Sequence, residues 1–310
     1  MGSYAAVDCG TLSTRLLIKD AGGATLLRLA KITGLGKGVD ATGALARPAV
    51  ERALEVLRQY RELMDRHGVG AATMVGTSAL RDASNRESFS CSAETVVGAR
   101  LRLLSGEEEA LLSFRGATAE LGAGTGPWLV ADIGGGSTEL VVGPEPFAAR
   151  SLDLGCVRVT ERFLAHDPPA EGELAAAQQW LAGQFDQVRA DVPELSAARA
   201  LVGLAGTVAA LACFDQGLST YRRQAVHHYR LTRPAVEGAL RRLAAEPAAR
   251  RAELPGIEAA RAPFVVGGTV VLSTLMAAFG FEECLVSESD ILDGLVSELA
   301  LAEPAAGAAS

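Results

Sequence analysis

The chain lacks the features of a membrane or secreted protein. No run of about 18 apolar residues occurs among its 310 residues, which excludes a transmembrane helix. The N-terminus "MGSYAAVDCG" has neither the basic nor the apolar region of a signal peptide. Hydrophobic residues make up 49% and charged residues 21%, so the composition is not that of a disordered chain. We expect a globular cytoplasmic protein with no membrane partner, long enough for two domains.

Cysteine and histidine are too few and too scattered for a disulfide or zinc scaffold. The five cysteines are an odd number without C-x-x-C spacing, which favours reduced thiols. They are Cys9, Cys91, Cys156, Cys213 and Cys284. Of the four histidines, His227 and His228 are adjacent, an arrangement that suits no ligand pair on one helix face.

Positive charge is also in deficit. Lys and Arg number 29 against 37 Asp and Glu, and the net charge of −8 argues against nucleic acid as the main partner. The P-loop pattern G-x-x-x-x-G-K-[ST] and the dinucleotide pattern G-x-G-x-x-G are both absent. A phosphate substrate would therefore depend on local arginines, backbone N–H groups and a metal ion. Candidate arginines, each of which could equally be a surface charge, are Arg15, Arg81, Arg86 and Arg158.

Glycine, by contrast, is concentrated where chemistry could occur. The segment "VADIGGGSTELVVG" places Gly134, Gly135 and Gly136 between predicted strands at 128–133 and 139–142. Because glycine loses much backbone entropy on ordering, such a triplet indicates either positive φ or a close backbone approach. The pattern is compatible with an ordinary hairpin, or with a turn whose successive N–H groups bind an anion.

An internal repeat favours the anion-binding interpretation. Aligning Asp8 with Asp132 superposes D-x-G-T on D-x-G-G-G-S-T at an offset of 124 residues. A third glycine turn, "LVGLAGTVAAL" at 201–211, opens a helical pattern around Gly206 and Thr207, and a helix N-terminus also suits an anion. These turns predict two similar halves that face each other across a central cleft. Phosphate held from two sides suits phosphoryl transfer.

Strands mixed with long helices predict an α/β fold with a mixed sheet in each half. The segment "GAGTGP" predicts a boundary between domains at 1–122 and 123–302, followed by a loose alanine-rich tail at 303–310. Predicted helices lie at 48–67, 106–120, 156–165, 171–190, from 207, and at 232–245, 262–279 and 290–301. Strands are predicted up to about residue 32 and at 72–77, 101–104, 128–133, 139–142, 200–204 and 283–286. The last helix could pack back on the first domain.

Several acids could take part in catalysis. The repeated pair Asp8 and Asp132 could hold Mg²⁺ directly or through water, or each could accept N–H bonds from its own turn. Glu139 begins a returning strand and is either solvated or aimed into the cleft. In "SGEEEA", Ser105 and Glu108 form a capping box, so the pattern alone selects no catalytic base among the three glutamates.

Together these segments resemble the exopolyphosphatase and guanosine pentaphosphate phosphatase (Ppx/GppA) family, which belongs to the actin, hexokinase and heat-shock chaperone ATPase superfamily. The resemblance covers residues 4–300 and is most specific in "SGEEEA" followed by "DIGGGSTE". Further matching segments are "VDCGTLSTRLLI", "GLGKGVDATG", "GTSALRDASNR", "LDLGCVRVTERF", "GLAGTVAAL" and "SESDILDG". It implies two ribonuclease H-like, actin-like ATPase domains.

The resemblance also implies roles for individual residues. Glu109 would activate the attacking water, and Asp132 and Glu139 would join Asp8 around a Mg²⁺ or Mn²⁺ ion, beside which a monovalent cation could bind. With the third turn included, the expected phosphate- and substrate-binding residues are Gly10, Thr11, Ser13, Arg81, Gly134, Gly135, Gly136, Ser137, Gly206 and Thr207.

The expected activity is release of terminal phosphate from inorganic polyphosphate, short chains in particular, by a homodimer that does not bind nucleic acid. The chain ends before the helical C-terminal domains of longer family members and looks like the short two-domain form found in actinobacteria. Hydrolysis of guanosine pentaphosphate, with guanosine penta- and tetraphosphate as ligands, is an alternative. Leu12 stands where the family usually has Asn, which keeps a non-catalytic alarmone or nucleotide sensor open. A sugar or acetate kinase agrees least, because the glutamate motif fits water activation.

Overall fold

The computed structural model describes residues 2–122, 126–144 and 147–302, and these form two compact units. One unit contains residues 1–105 and 291–310, and the other contains residues 106–290. The predicted α/β class with a mixed sheet in each half is confirmed. The boundary lies after residue 105, whereas the sequence placed it after residue 122, because the intervening helix packs on the second sheet. The predicted tail at 303–310 lies outside the described residues.

The first unit is built on a five-stranded sheet in the order β3-β2-β1-β4-β5. Its strands, numbered along the chain, are β1 Ser3–Cys9, β2 Ser13–Lys19, β3 Thr25–Ile32, β4 Val69–Gly76 and β5 Leu101–Leu103. β1, β2 and β3 form an antiparallel meander, and β4 and β5 continue the sheet in parallel with β1. β1 is buried along almost its whole length, as expected for a central apolar strand covered on both faces.

Helices cover both faces of this sheet. They are α1 Val39–Thr42, α2 Arg47–Arg66, α3 Ser78–Asp82, α4 Arg86–Val97 and the last helix of the chain, α13 Ile291–Ala302. Side chains alternate between faces along a strand, so Ile18 joins the core beneath α2 and α4 while Lys19 points the other way. Lys19 forms an ion pair with Asp293 of α13 at 2.8 Å, which places α13 on the face opposite α2.

The second unit repeats this arrangement in a six-stranded sheet of order β10-β11-β9-β6-β7-β8. Its strands are β6 Trp128–Ile133, β7 Thr138–Gly143, β8 Ala148–Leu152, β9 Ala200–Leu204, β10 Arg230–Thr232 and β11 Glu283–Val286. Three antiparallel strands, β6 to β8, are followed by the parallel strands β9 and β11, as in the first unit. The sequence repeat is therefore also a repeat of strand topology.

The helices of the second unit are α5 Gly106–Thr118, α6 Cys156–Phe163, α7 Glu171–Asp191, α8 Ala205–Asp215, α9 Arg223–Val226, α10 Arg233–Ala244, α11 Ala248–Arg251 and α12 Val265–Phe279. A 3₁₀ helix at Pro193–Ala197 follows α7. The larger core lies between the sheet and α7, α8, α10 and α12, with Leu129 and Ala131 at its centre. On the other face, Ala110 and Phe114 of α5 pack against Val130.

Most predicted elements are confirmed to within a few residues, and β6, β9 and β11 match the predicted bounds. The sequence predicted no element for α3 and α4, whose positions depend on tertiary contacts. Asn85, which precedes α4, exchanges side-chain hydrogen bonds with both backbone groups of Leu45 at 2.8 and 3.0 Å. Within the described ranges, no helix combines the length and apolarity that a bilayer crossing requires.

Candidate active site

Two acids of the second unit face α5 because of strand alternation. Ala131 and Leu140 point into the larger core, so their neighbours Asp132 and Glu139 point to the face that α5 covers. β6 and β7 are antiparallel, and their register sets Asp132 directly opposite Glu139. Both acids are buried, at 5% and 1% exposure. Of the two placements the sequence left open for Glu139, the solvated one is wrong.

α5 contributes a third buried acid to this face. Glu109 is 8% exposed, whereas Glu107 and Glu108 are exposed. All three lie in the first turn, where the helix dipole favours negative charge. The phase of α5 on the sheet therefore selects one glutamate from a run that the sequence pattern could not separate.

The three acids interact electrostatically. The pKa of Glu139 is raised well above its usual value, chiefly by burial and then by the charges of Glu109 and Asp132. Hydrogen bonds from Ser151 and Ser137 oppose this rise by favouring the carboxylate. The Ser151 hydroxyl donates to Glu139 Oε1 at 2.7 Å. Such a cluster of buried negative charge favours either a bound proton or a bound cation.

The glycine turn is held by the start of α6. The N–H groups of Cys156 and Val157 donate to the carbonyls of Gly134 and Gly135, each at 2.9 Å, and Arg158 Nε donates to the Gly136 carbonyl at 2.9 Å. In a trans peptide the N–H points opposite to the preceding carbonyl. The N–H groups of residues 135, 136 and 137 therefore point away from α6, as an anion-binding turn requires.

Of the two explanations for the triplet, the structure favours the close backbone approach. None of Gly134, Gly135 and Gly136 is among the residues with positive φ. Gly155 lies against the turn, because a Cβ on it would be 2.5 Å from the carbonyl carbon and oxygen of Gly135. A side chain at Gly155 would therefore displace the turn.

The third glycine turn is the N-terminus of α8, which begins at Ala205, two residues before the predicted start. Ala205 adopts a left-handed φ of 70°, uncommon for a residue with a side chain. The Arg261 guanidinium lies across Gly206, since a Cβ there would be 2.4 Å from its nitrogens. Thr207 is buried in the first turn of α8, and its Oγ1 makes no hydrogen bond within the part of the chain that the structure describes. Thr207 and Cys156 both pack against Gly268, and the Cys156 N–H donates to the Gly134 carbonyl, so Cys156 lies between this turn and the triplet.

The first unit carries the matching hairpin with a different charge arrangement. The Gly10 N–H donates to the Ser13 carbonyl at 3.0 Å and closes the turn. Asp8, 1% exposed, lies opposite Arg15 in the register of β1 and β2. Arg15 Nε and Nη2 lie 2.8 and 2.6 Å from Asp8 Oδ2, so an arginine balances the charge of this aspartate.

Thr11 connects the first turn to α3. Its hydroxyl oxygen accepts a hydrogen bond from the Ala79 N–H at 3.2 Å, and its methyl group packs so closely that Gly36 has no room for a Cβ. Arg81 follows on α3, and its Nη1 donates to the Leu104 carbonyl at 3.1 Å. The structure therefore brings Thr11 and α3 together, and a substrate contact by Arg81 remains a prediction.

Leu12, the departure from the family pattern, is only 5% exposed. Its carbonyl accepts hydrogen bonds from the Thr33 and Gly34 N–H groups at 3.0 and 2.8 Å. The residue fixes the end of β3 through its backbone, while its apolar side chain is buried.

The donor set of the second unit fits a hard divalent cation. Glu109, Asp132 and Glu139 supply only carboxylate oxygens, and the raised pKa of Glu139 reflects charge that a cation would neutralise. In the part of the chain that the structure describes, no group of three or more His, Cys, Asp or Glu side chains is placed to hold a metal ion. An ion here would need water or phosphate oxygens as additional ligands, which is usual for Mg²⁺.

Sequence reasoning missed four residues that shape this site. Three are Ser151, Gly155 and Arg261, and the fourth is Ser113, whose hydroxyl donates to Asp132 Oδ2 at 2.7 Å. Gly155 and Ser113 lie inside segments that carry the resemblance, which was the available signal. Nothing in the sequence around Arg261 indicates that it reaches Gly206.

Comparison with known proteins identifies relatives over most of the chain. Residues 17–303 match the model of the Ppx/GppA phosphatase family. "Exopolyphosphatase 2" of Mycobacterium tuberculosis is 40% identical over 96% of this chain and 98% of its own. "Guanosine-5'-triphosphate,3'-diphosphate pyrophosphatase" of Aeromonas salmonicida is 30% identical over 94% of this chain and 58% of its own.

A solved structure shares the whole fold. The crystal structure of an exopolyphosphatase-like protein superposes with a TM-score of 0.91 at 33% identity, covering 96% of this chain and 99% of the other. The family match extends over most of the chain and includes the glutamate run, the glycine triplet and the third turn. The chain therefore belongs to the Ppx/GppA phosphatase family.

Proposed function

We propose that this protein is an exopolyphosphatase, a hydrolase that releases terminal orthophosphate from inorganic polyphosphate. The observation that carries the proposal is the burial of Glu109, alone of its glutamate run, on the face shared with Asp132 and Glu139. The relative named exopolyphosphatase 2, aligned over nearly the full length of both chains, supports the same activity.

Glu109 is the proposed general base. Its carboxylate would accept a proton from water as the water oxygen attacks the terminal phosphorus. The bond between that phosphorus and its bridging oxygen breaks, and the shortened polyphosphate leaves with the bridging oxygen. Glu109 is buried on the face that also carries Asp132 and Glu139, where it would hold and orient the attacking water while accepting its proton.

Asp132 and Glu139 are the proposed holders of Mg²⁺ or Mn²⁺ in the second unit, and Asp8 is the proposed contributor from the first. A divalent cation would neutralise charge on the phosphate oxygens. Asp8, whose carboxylate pairs with Arg15 in its own unit, would contribute directly or through water. A monovalent cation stays part of the proposal without an assigned residue.

The glycine turns are the proposed phosphate cradle. Gly135, Gly136 and Ser137 would supply backbone N–H groups, which point away from α6, while the Gly134 N–H closes the turn on the Ser137 carbonyl. In the first unit Gly10 closes the turn in the same way, and Thr11 and Ser13 are the proposed phosphate contacts. Arg81 and the α8 turn at Gly206 and Thr207 are proposed as further substrate contacts.

Hydrolysis of guanosine pentaphosphate is the second candidate, supported by the Aeromonas relative. A test of both measures phosphate release from polyphosphate, guanosine pentaphosphate and ATP at equal anhydride concentration with Mg²⁺. We expect the highest kcat/KM on polyphosphate. A higher value on guanosine pentaphosphate would reverse the order of the candidates, and no release from any of the three would favour a nucleotide or alarmone sensor.

We also propose a preference for short polyphosphates. The net charge of −8 provides no long-range attraction for a polyanion, so phosphates outside the cradle should contribute little. Gel analysis of a long uniform polyphosphate during partial digestion tests this. Gradual shortening of the whole population is expected, whereas intact long chains beside free phosphate would contradict the proposal.

A cytoplasmic homodimer completes the proposal. All five cysteines are free and four of them are buried, which is compatible with a reducing compartment. Sedimentation equilibrium of the purified protein distinguishes a dimer from a monomer.

A further inference from the structure

Ser113 is a buried helical serine whose hydroxyl bonds outside its own helix. Elsewhere in the protein, helical hydroxyls such as those of Thr118, Thr269 and Ser297 donate to the carbonyl four residues earlier, at 2.7–2.9 Å. Ser113 Oγ donates instead to Asp132 Oδ2 at 2.7 Å, and its side chain is only 1% exposed. A hydroxyl can donate only one hydrogen bond, and Ser113 donates its bond to an acid of the candidate site.

The surroundings of Ser113 give no other reason for a polar residue. α5 meets the sheet through Ala110, Phe114 and Ala117, which pack against Val130 and Val141. A buried hydroxyl in such a contact is destabilising unless it is hydrogen bonded. An alanine would suit the packing alone, so the bond to Asp132 is what Ser113 adds.

Helix geometry links Ser113 to Glu109. Residues four apart lie on the same helix face, so the serine stands one turn below the glutamate on the side facing the sheet. A short bond from a hydroxyl to a carboxylate is strong for its class and directional. It fixes the Asp132 carboxylate relative to the helix that carries Glu109.

We propose that Ser113 is a positioning residue that holds Asp132 in register with Glu109. The inference rests on the proposed function, because it assigns Ser113 to the same site. Ser113 touches neither water nor substrate in this proposal, and it acts only through the orientation of the Asp132 carboxylate.

The matched test compares Ser113→Thr with Ser113→Val in the full chain. The two side chains have the same shape and differ only in the hydroxyl, so any steric effect is common to both. We expect Ser113→Val to lower kcat by about 10- to 100-fold relative to Ser113→Thr, as loss of a supporting hydrogen bond typically does. KM for polyphosphate should differ little, because the cradle is backbone. Thr118→Val, which removes a hydroxyl bonded within α5, is the control and should keep parental kcat.

A second readout does not depend on turnover. Isothermal titration with MnCl₂ should give weaker binding for Ser113→Val than for Ser113→Thr, since Asp132 would be less well placed. If the parent releases phosphate but the two variants match in kcat, the positioning role is wrong and the proposed function stands. If the parent releases none, a difference between the variants in Mn²⁺ affinity keeps the role and removes the function. If the two variants have equal kcat and equal Mn²⁺ affinity, the positioning role is overturned.

Discussion

The two hairpins of the protein have the same turn geometry but different cross-strand charge pairs, one of opposite charges and one of like charges. Gly10 closes the first turn with a 3.0 Å bond to the Ser13 carbonyl, and at the same offset of 124 residues Gly134 does so with Ser137, also at 3.0 Å. Seven residues after each leading aspartate stands its cross-strand partner. That partner is Arg15 in the first unit and Glu139 in the second.

The two charge pairs should have different effects on stability. Opposite charges directly across a strand pair are stabilising, and like charges are destabilising. The first hairpin is therefore balanced within its own unit. The second holds Asp132 against Glu139 in a buried place, an arrangement that favours a cation and raises the pKa of Glu139. The hairpin geometry is the same in both copies, whereas the aspartate faces an arginine in the first and a buried glutamate in the second.

The largest effect on activity should come from substitution of Glu109, the proposed general base of the second unit. Glu109→Gln should lower kcat by roughly 10²- to 10⁴-fold, because a neutral amide cannot accept the proton of the attacking water. Phosphate-release kinetics measure this, with Glu108→Gln as the exposed control from the same run. Near-parental turnover in Glu109→Gln together with a large loss in Glu108→Gln would reassign the base.

The second turn should be sensitive to a methyl group on Gly155, which packs against it, whereas the equivalent turn positions Gly10 and Gly134 have similar room for a Cβ, with nearest atoms at 3.0 and 3.1 Å. Gly155→Ala places Cβ 2.5 Å from the backbone of Gly135, so the turn must move, and we expect kcat/KM to fall by roughly 10²-fold. Gly10→Ala meets its nearest atom, the Ser13 carbonyl oxygen, at 3.0 Å and should have a milder effect. Activity is measured beside melting temperature. Equal losses in the two variants would contradict this expectation.

Neutralising one buried acid should have opposite effects on stability in the two hairpins. Asp8→Asn removes the buried charge that pairs with Arg15 and should lower the free energy of unfolding by about 1–3 kcal/mol. Glu139→Gln removes a buried charge from beside two acids and should leave the metal-free protein equally or more stable, although inactive. Urea unfolding in EDTA compares the two. A marked destabilisation by Glu139→Gln would show that its charge is well compensated.

The smallest effect concerns pH. Because the pKa of Glu139 is raised in the folded protein, its stabilising contribution is complete below about pH 4.5, its unfolded value, and is lost as pH rises through the folded pKa. Without metal, the melting temperature of Glu139→Gln should therefore rise relative to that of the parent as pH increases. Thermal melts from pH 5 to 8.5 measure the difference, expected at about 2–4 °C per kcal/mol. A constant difference would contradict the raised pKa.

The sequence predicted the parts of this comparison that depend on local pattern. Apolar runs predicted β6 and β9 to the residue, and the repeat predicted two matching hairpins. It did not predict that Glu109 alone of its run is buried, because that depends on how α5 lies on the sheet. Because α5 packs on the second sheet, the observed unit boundary follows residue 105, whereas the predicted one followed residue 122. Arg261 was missed since its reach to Gly206 is a tertiary contact between distant segments.

The discontinuity of the first unit has a consequence for synthesis on the ribosome. Its sheet is complete by residue 103, but α13, which contacts β1, β2 and β4, emerges only after residues 106–290 have been made. At ~5–20 residues per second, that interval is roughly 10–40 s. During this time Lys19 and Arg28 lack Asp293, the carboxylate that pairs with both in the finished unit. The sheet face that α13 covers in the finished unit therefore stays open during this interval, and we expect the nascent chain to be more prone to aggregation before α13 is made than after it.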